Sequence, residues 1–201
     1  MPRSDITGFI LAGGRSSRMG RDKAQILWGS GTLLSHACQQ MRKVVSETCI
    51  VGKIESPDAH CLVLSDTFIG RGPLAGIHSA LKHTETDWNL VLALDLPLVS
   101  SALLEFVAKS CGESNQAVAA RIGDHVQPLC AAYHRLLLRE IEARLHAGEL
   151  SIRRLLEAAG TRIIEENELL SAGFAVEMLL NVNTPEDLER AKELAKTLHV
   201  E

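Results

Sequence analysis

A glycine pair followed by a run of cations, placed directly after an apolar stretch, is the first feature of this sequence that could do chemistry. Ile6–Ala12 reads as a short buried strand. It runs into Leu11-Ala12-Gly13-Gly14-Arg15-Ser16-Ser17-Arg18-Met19-Gly20-Arg21-Asp22-Lys23. Adjacent glycines let the backbone turn sharply and come close to a ligand, and the N–H groups of such a turn line a concave anion site. Arg15, Arg18, Arg21 and Lys23 stand against Asp22 alone, four cations to one carboxylate, a local excess of +3. Glycines, hydroxyls and cations together at one strand end suit a polyphosphate better than a merely solvated loop. A P-loop is excluded, because Gly20 is followed by Arg21 and has no glycine five residues before it. The dinucleotide fingerprint fails too, since Gly13 and Gly14 are adjacent. Gly29-Ser30-Gly31 has Leu34 where that pattern needs its third glycine, and reads as a turn.

A second candidate is Asp95, in Leu94-Asp95-Leu96-Pro97. It ends Asn89–Leu94, the most uniformly apolar run of the chain. A carboxylate there can hold magnesium, which takes one or two carboxylates plus substrate phosphate oxygens. The competing role, capping the helix that starts near Ser101, requires a reach of several residues. Asp66 also follows a strand-like run, where aspartate is commonly a turn former. Asn181 and Asn183 alternate about Val182, so a strand there would turn both amides to one face, suited to a polar ligand.

These residues need elements to position them. Helical spacing of Leu33, Leu34, Ala37, Met41, Val44 and Val45 predicts a helix over Leu33–Val45. Thr48–Val51 and Cys61–Leu64 read as strands, and Gly72-Pro73 opens a helix with proline at its first position. Ser100 or Ser101 caps a helix through Lys109. Ala117–Arg121 and Val126–Tyr133 flank Gly123-Asp124 as a hairpin whose second strand runs antiparallel. Helices follow over Arg135–Ala147 and Ser151–Ala159, ended by Gly148 and Gly160. Met178–Val182 reads as a strand before a helix with Thr184 as cap, Pro185 first and Asp187 in its opening turn. The expected fold is α/β: a single three-layer Rossmann-like domain over residues 1–201, with a mostly parallel sheet and one antiparallel strand. Ligands of such sheets bind at the carboxyl ends of the strands.

Composition narrows the partners. A net charge of -4 over 201 residues and a 3% aromatic content disfavour nucleic acid. No apolar stretch approaches the ~20 residues of a membrane helix, so a cytoplasmic protein is expected. Five widely spaced cysteines lack any Cys-x-x-Cys pair, and Cys49, Cys61 and Cys130 are expected as small buried hydrophobes. No apolar heptad is sustained, so a monomer is expected.

The unbroken motif Leu11–Lys23, with Gly72-Pro73-Leu74-Ala75-Gly76, Asp95-Leu96-Pro97 and Asn181-Val182-Asn183-Thr184-Pro185-Glu186-Asp187, resembles the molybdenum cofactor guanylyltransferases of the nucleotidyltransferase superfamily. The resemblance runs from Thr7 to Leu194 and implies a fold like the nucleoside-diphospho-sugar transferases. It implies transfer of GMP from GTP to the phosphate of molybdopterin, with release of pyrophosphate. Leu11, Ala12, Gly13, Gly14, Lys23, Gly52, Asp66 and Asp95 would then serve GTP, and Asp95 magnesium. Asn181, Asn183 and Arg18 would face molybdopterin, with Lys23, Asp95 and Arg18 as the catalytic set. Gly52 departs from relatives, which often carry an asparagine there. Transient contact with other cofactor-synthesis proteins and with recipient molybdoenzymes is implied as well. The rival readings are a cytidylyltransferase for the same pterin, a sugar-phosphate nucleotidyltransferase, and a non-catalytic nucleotide- or cofactor-binding adaptor. Gly13, where cytidylyl relatives typically carry alanine, leans toward the purine.

Overall fold

The computed structural model describes residues 1–13, 22–54, 61–198 and 200. Among them a seven-stranded sheet carries the fold, in the order β5-β4-β1-β6-β8-β7-β9. Its first half is β1 (Arg3–Leu11), β4 (Val45–Val51), β5 (Leu62–Leu64) and β6 (Trp88–Ala93), all parallel. Its second half is β7 (Ala117–Ile122), β8 (His125–His134) and β9 (Thr161–Ile164). β8 runs antiparallel to both β6 and β7, while β9 is parallel to β7. The expected single antiparallel strand is therefore β8. A two-stranded ribbon, β2 (Leu27–Trp28) with β3 (Gly31–Thr32), stands apart.

Period-two alternation sends side chains to two cores. From β1, Ile6 and Ile10 enter a core shared with α1 (Leu33–Arg42) and α3 (Ser101–Lys109). Phe9 and Leu11 enter the opposite core, shared with α2 (Pro73–His83), α4 (Leu138–Ala147) and α5 (Ile152–Ala158). The result is the expected three-layer sandwich. Helix α1 lies so close to β1 that a Cβ at Gly8 would stand 2.5 Å from Met41 Cγ. A third, smaller cluster of Trp28, Leu33, Leu98, Val182 and Ala191 clamps the long α7 (Pro185–Leu198) to the β2–β3 ribbon and the chain beyond β6. No helix among the described residues is long and apolar enough to cross a membrane.

Capping chemistry falls where the sequence indicates. Ser100 accepts from the Leu103 amide and starts α3, Pro73 is the first residue of α2, and Gly148 ends α4 in the left-handed region. Three expectations are corrected. Helix α1 stops at Arg42, because Val45 is already paired with Arg3 as the first residue of β4. Met178–Val182 is not a strand. Val176–Leu179 form a 3-10 turn that drops Met178 and Leu179 into the core, and the chain then passes the end of β6. Cys61 is half-buried, not core, whereas Cys49 and Cys130 are buried as expected. The short β9 and α6 (Glu166–Ser171) were not anticipated.

Candidate active site at the carboxyl ends of the strands

The strand order β5-β4-β1-β6 lines up four chain ends: Asp66 beyond β5, Gly52 beyond β4, Ala12-Gly13 beyond β1 and Asp95 beyond β6. Gly52 and Gly13 meet backbone to backbone. Gly52 has φ +138, and a Cβ there would lie 2.8 Å from the Gly13 nitrogen and 2.9 Å from the Ala12 carbonyl carbon. No side chain fits at that contact, so this backbone path requires the glycine at 52. A Cβ on Gly13 itself would come within 3.5 Å of Asp66 Oδ2, so the Asp66 carboxylate borders the glycine turn.

Two carboxylates at this edge are incompletely satisfied. Asp66 Oδ1 and Asp95 Oδ1 are both buried with no hydrogen-bond partner among the described residues. Burial pushes the Asp66 carboxyl above the usual carboxylate range. Burial does the same to Asp95, opposed by the positive charge of Lys23. Buried oxygens of this kind are costly, and native proteins keep few of them without a reason.

The surroundings of Asp95 are built by distant parts of the chain. Its Oδ2 accepts from Asn181 Nδ2 at 3.3 Å, and its carbonyl accepts from the Val182 amide at 2.7 Å. Lys23 Nζ donates to the Val182 carbonyl at 2.8 Å and to Asn183 Oδ1 at 3.0 Å. An ammonium has three donors, so this geometry occupies two of them. Asp22 accepts from the Ala24 amide at 3.0 Å and caps the 3-10 turn Lys23–Gln25 that carries the lysine. On the other side, the Asn183 and Thr184 amides both donate to Asp187 Oδ2 at 2.9 Å. Those two amides hold the Asp187 carboxyl below its usual range and fix the chain just before α7.

Of the candidate residues, Asp95, Lys23, Asn181 and Asn183 form one connected cluster. Leu11, Ala12, Gly13, Gly52 and Asp66 line the adjoining strand ends. The two asparagines reach the site through loop hydrogen bonds rather than through strand alternation. Asp95 is not a helix cap, because Ser100 caps α3. Gly14, Arg15, Ser16, Ser17, Arg18 and Arg21 lie outside the described residues. Sequence reasoning missed Gln127, whose Nε2 donates to Asn181 Oδ1 at 2.8 Å and to the Leu179 carbonyl at 3.3 Å. It also missed His36, whose Nε2 lies 3.0 Å from the Pro97 carbonyl, tying the loop after Asp95 to α1. Burial pulls the His36 imidazole below its ordinary range, so the neutral ring donates that bond. The signal for Gln127 was a polar residue beside Pro128, where a β-bulge breaks the β7–β8 register.

The family model for the MobA-like NTP transferase domain matches residues 8–163. A molybdenum cofactor guanylyltransferase of Syntrophotalea carbinolica is 34% identical, over 92% of this chain and 89% of that protein. A probable molybdenum cofactor guanylyltransferase of Pelotomaculum thermopropionicum is 32% identical, over 94% of this chain and 93% of its own length. Molybdopterin-guanine dinucleotide biosynthesis protein A from Archaeoglobus fulgidus superposes with a TM-score of 0.81 at 26% identity, covering 95% of this chain and 99% of that one. The fold alone is shared with 2-C-methyl-D-erythritol 4-phosphate cytidylyltransferase from Thermus thermophilus, at TM-score 0.69 and 19% identity over 98% of this chain and all of that one. The chain belongs to the MobA-like NTP transferase family, among the molybdenum cofactor guanylyltransferases.

Proposed function

We propose that this protein transfers GMP from GTP to the terminal phosphate of molybdopterin and releases pyrophosphate, acting in the cytoplasm. The observation that carries the reading is the cluster at the end of β6, where Asp95, Lys23, Asn181 and Asn183 converge beside the glycine turn. The nucleophile, a phosphate oxygen, comes from the substrate, so the protein has to position two anions rather than supply an attacking group.

In this reading the backbone of Leu11, Ala12 and Gly13 cradles the triphosphate, with Gly14 and Arg18 of the same loop. Gly52 shapes that cradle by its close approach to Gly13, and Asp66 contacts the nucleoside. The third Lys23 donor reaches a phosphate oxygen while the other two keep the amine beside Asn183. Asn181 and Asn183 present amides to the pterin substrate from opposite sides of Val182. Asp95 Oδ1, buried near Lys23 and without a partner among the described residues, suits a divalent cation ligand. Magnesium held there supplies charge neutralisation on the phosphate oxygens.

The test is pyrophosphate release with molybdopterin as acceptor, comparing GTP, CTP and ATP in the presence of magnesium. GTP is expected to be strongly preferred, with the guanine dinucleotide as product. Equal turnover with CTP overturns the base assignment, and no turnover with any nucleotide favours a binding adaptor.

A further inference from the structure

Two cysteines that the site does not use meet at the outer edge of the sheet. Cys38 is buried on α1, and Cys61 is half-buried just before β5. Their sulfur atoms lie 3.9 Å apart. Arg42, one helical turn beyond Cys38 on the same face of α1, donates from Nη2 to Cys61 Sγ at 3.0 Å. All five cysteines of the chain are thiols.

The environment of Cys61 differs from that of the other thiols. Burial pushes the Cys49 thiol up to about 11 and the Cys111 and Cys130 thiols up to about 12, which keeps them protonated and inert. Cys61 is more open than Cys49 and Cys130, and its sulfur touches a guanidinium. A sulfur that is both accessible and 3.9 Å from a second sulfur is placed to react and then to be bridged. Cys38 is positioned to meet that sulfur next.

We propose that Cys61 is a hydroperoxide-reactive thiol and that Cys38 resolves it as an intramolecular disulfide. In the first step the Cys61 sulfur attacks one peroxide oxygen. The O–O bond breaks, and the thiol proton leaves with the other oxygen as water, or as an alcohol from an organic peroxide. Cys61 is now a sulfenic acid. In the second step the Cys38 sulfur attacks the Cys61 sulfur, the S–O bond breaks, and the hydroxyl departs as water with the Cys38 proton. Two thiols lose two electrons in all, and the peroxide gains them. The sulfurs must close from 3.9 Å to the ~2.05 Å of a disulfide, a movement of about 2 Å that side-chain rotations can share. The bridge ties α1 to the start of β5, and β5 leads directly to Asp66. Oxidation thus clamps the edge strand that carries one wall of the site.

The test begins with the unaltered, fully reduced protein, treated with a small excess of hydrogen peroxide, alkylated and digested. The expected product has lost two hydrogen atoms and yields one cross-linked peptide pair, Cys38 with Cys61. Cys49, Cys111 and Cys130 are expected to remain alkylatable. In Cys38→Ser, a dimedone adduct is expected on Cys61, and in Cys61→Ser neither the cross-link nor an adduct on Cys38. A disulfide between any other pair overturns the proposal. So does Cys61 advancing to sulfinic acid in the unaltered protein while Cys38 stays a thiol.

Discussion

The two ends of β6 treat buried polar atoms in opposite ways. At the amino end, Thr86 Oγ1 donates to Thr7 Oγ1 at 2.9 Å and accepts from the Thr7 amide at 3.1 Å. Asn89, fully buried, donates from Nδ2 to the Tyr133 carbonyl at 3.2 Å and to the Asp87 carbonyl at 3.3 Å. Partners surround this network on every side, and it ties β1, β6 and β8 together. At the carboxyl end, Asp95 keeps a buried oxygen with no partner among the described residues, as does Asp66 beyond β5 at the same edge of the sheet. A satisfied network stabilises a fold, whereas an unsatisfied one is a cost that persists where a ligand supplies the missing partner. The same strand therefore serves structure at one end and carries the proposed site at the other.

The largest effect that sharpens this contrast comes from Asp95→Asn. Magnesium-dependent pyrophosphate release should fall by about two to three orders of magnitude, as for loss of one transition-state contact. The ligand-free variant should melt higher, because a buried charge is removed. About 1 kcal/mol of relief corresponds to a rise of roughly 2–4 °C in a chain of this size. A drop in melting temperature would break the contrast. Asn89→Ala should do the reverse. It leaves the Tyr133 carbonyl without its donor and opens a small void, costing about 2–3 kcal/mol in chemical denaturation, with kcat unchanged in the folded fraction.

Gln127→Met should act more weakly and on binding. It removes one hydrogen bond to Asn181, of order 1 kcal/mol, so KM for the pterin substrate should rise about fivefold while kcat holds. An equal loss in kcat would place Gln127 in the chemistry rather than behind it. His78 is expected to give the smallest change. It is buried on α2, edge-on to Phe68 of the loop that carries Asp66, with neither ring nitrogen hydrogen-bonded among the described residues. Burial lowers its pKa from the ordinary 6.5, against the nearby Glu142 carboxylate, which raises it. The unfolded chain then binds the proton more readily than the folded one. The stability held by neutral His78 is thus complete above about 6.5 and is lost as pH falls through the unfolded value toward the folded one. Melting temperature should drop over that window, and the drop should be shallower in His78→Leu.

Much of this layout is legible in the sequence because its signals are local. The apolar runs Ile6–Ala12 and Asn89–Leu94, each followed by a polar turn, locate Gly13 and Asp95 at strand ends. What one sequence hides is the meeting of Lys23 with Asn183, 160 positions apart, which depends on α7 and the β2–β3 ribbon packing through Trp28 and Val182. Met178, Leu179 and Val182 imitate a strand because all three are buried, yet a 3-10 turn buries the first two and the loop beyond it buries Val182 in a different cluster. Gln127 escapes notice because a polar residue in a strand ordinarily faces water. Val44 and Val45 keep helical spacing although Val45 belongs to the sheet.

The most direct measurement is an anomalous-scattering crystal structure of the protein with a non-hydrolysable GTP analogue and manganese in place of magnesium. The ion is expected against the Asp95 carboxylate, in contact with phosphate oxygens. One other donor group among the described residues could hold a metal, Glu47 with Cys49 on β4 and His83 at the end of α2. Manganese found there, or bound to the nucleotide with Asp95 uninvolved, would contradict the role assigned to the orphaned carboxylate.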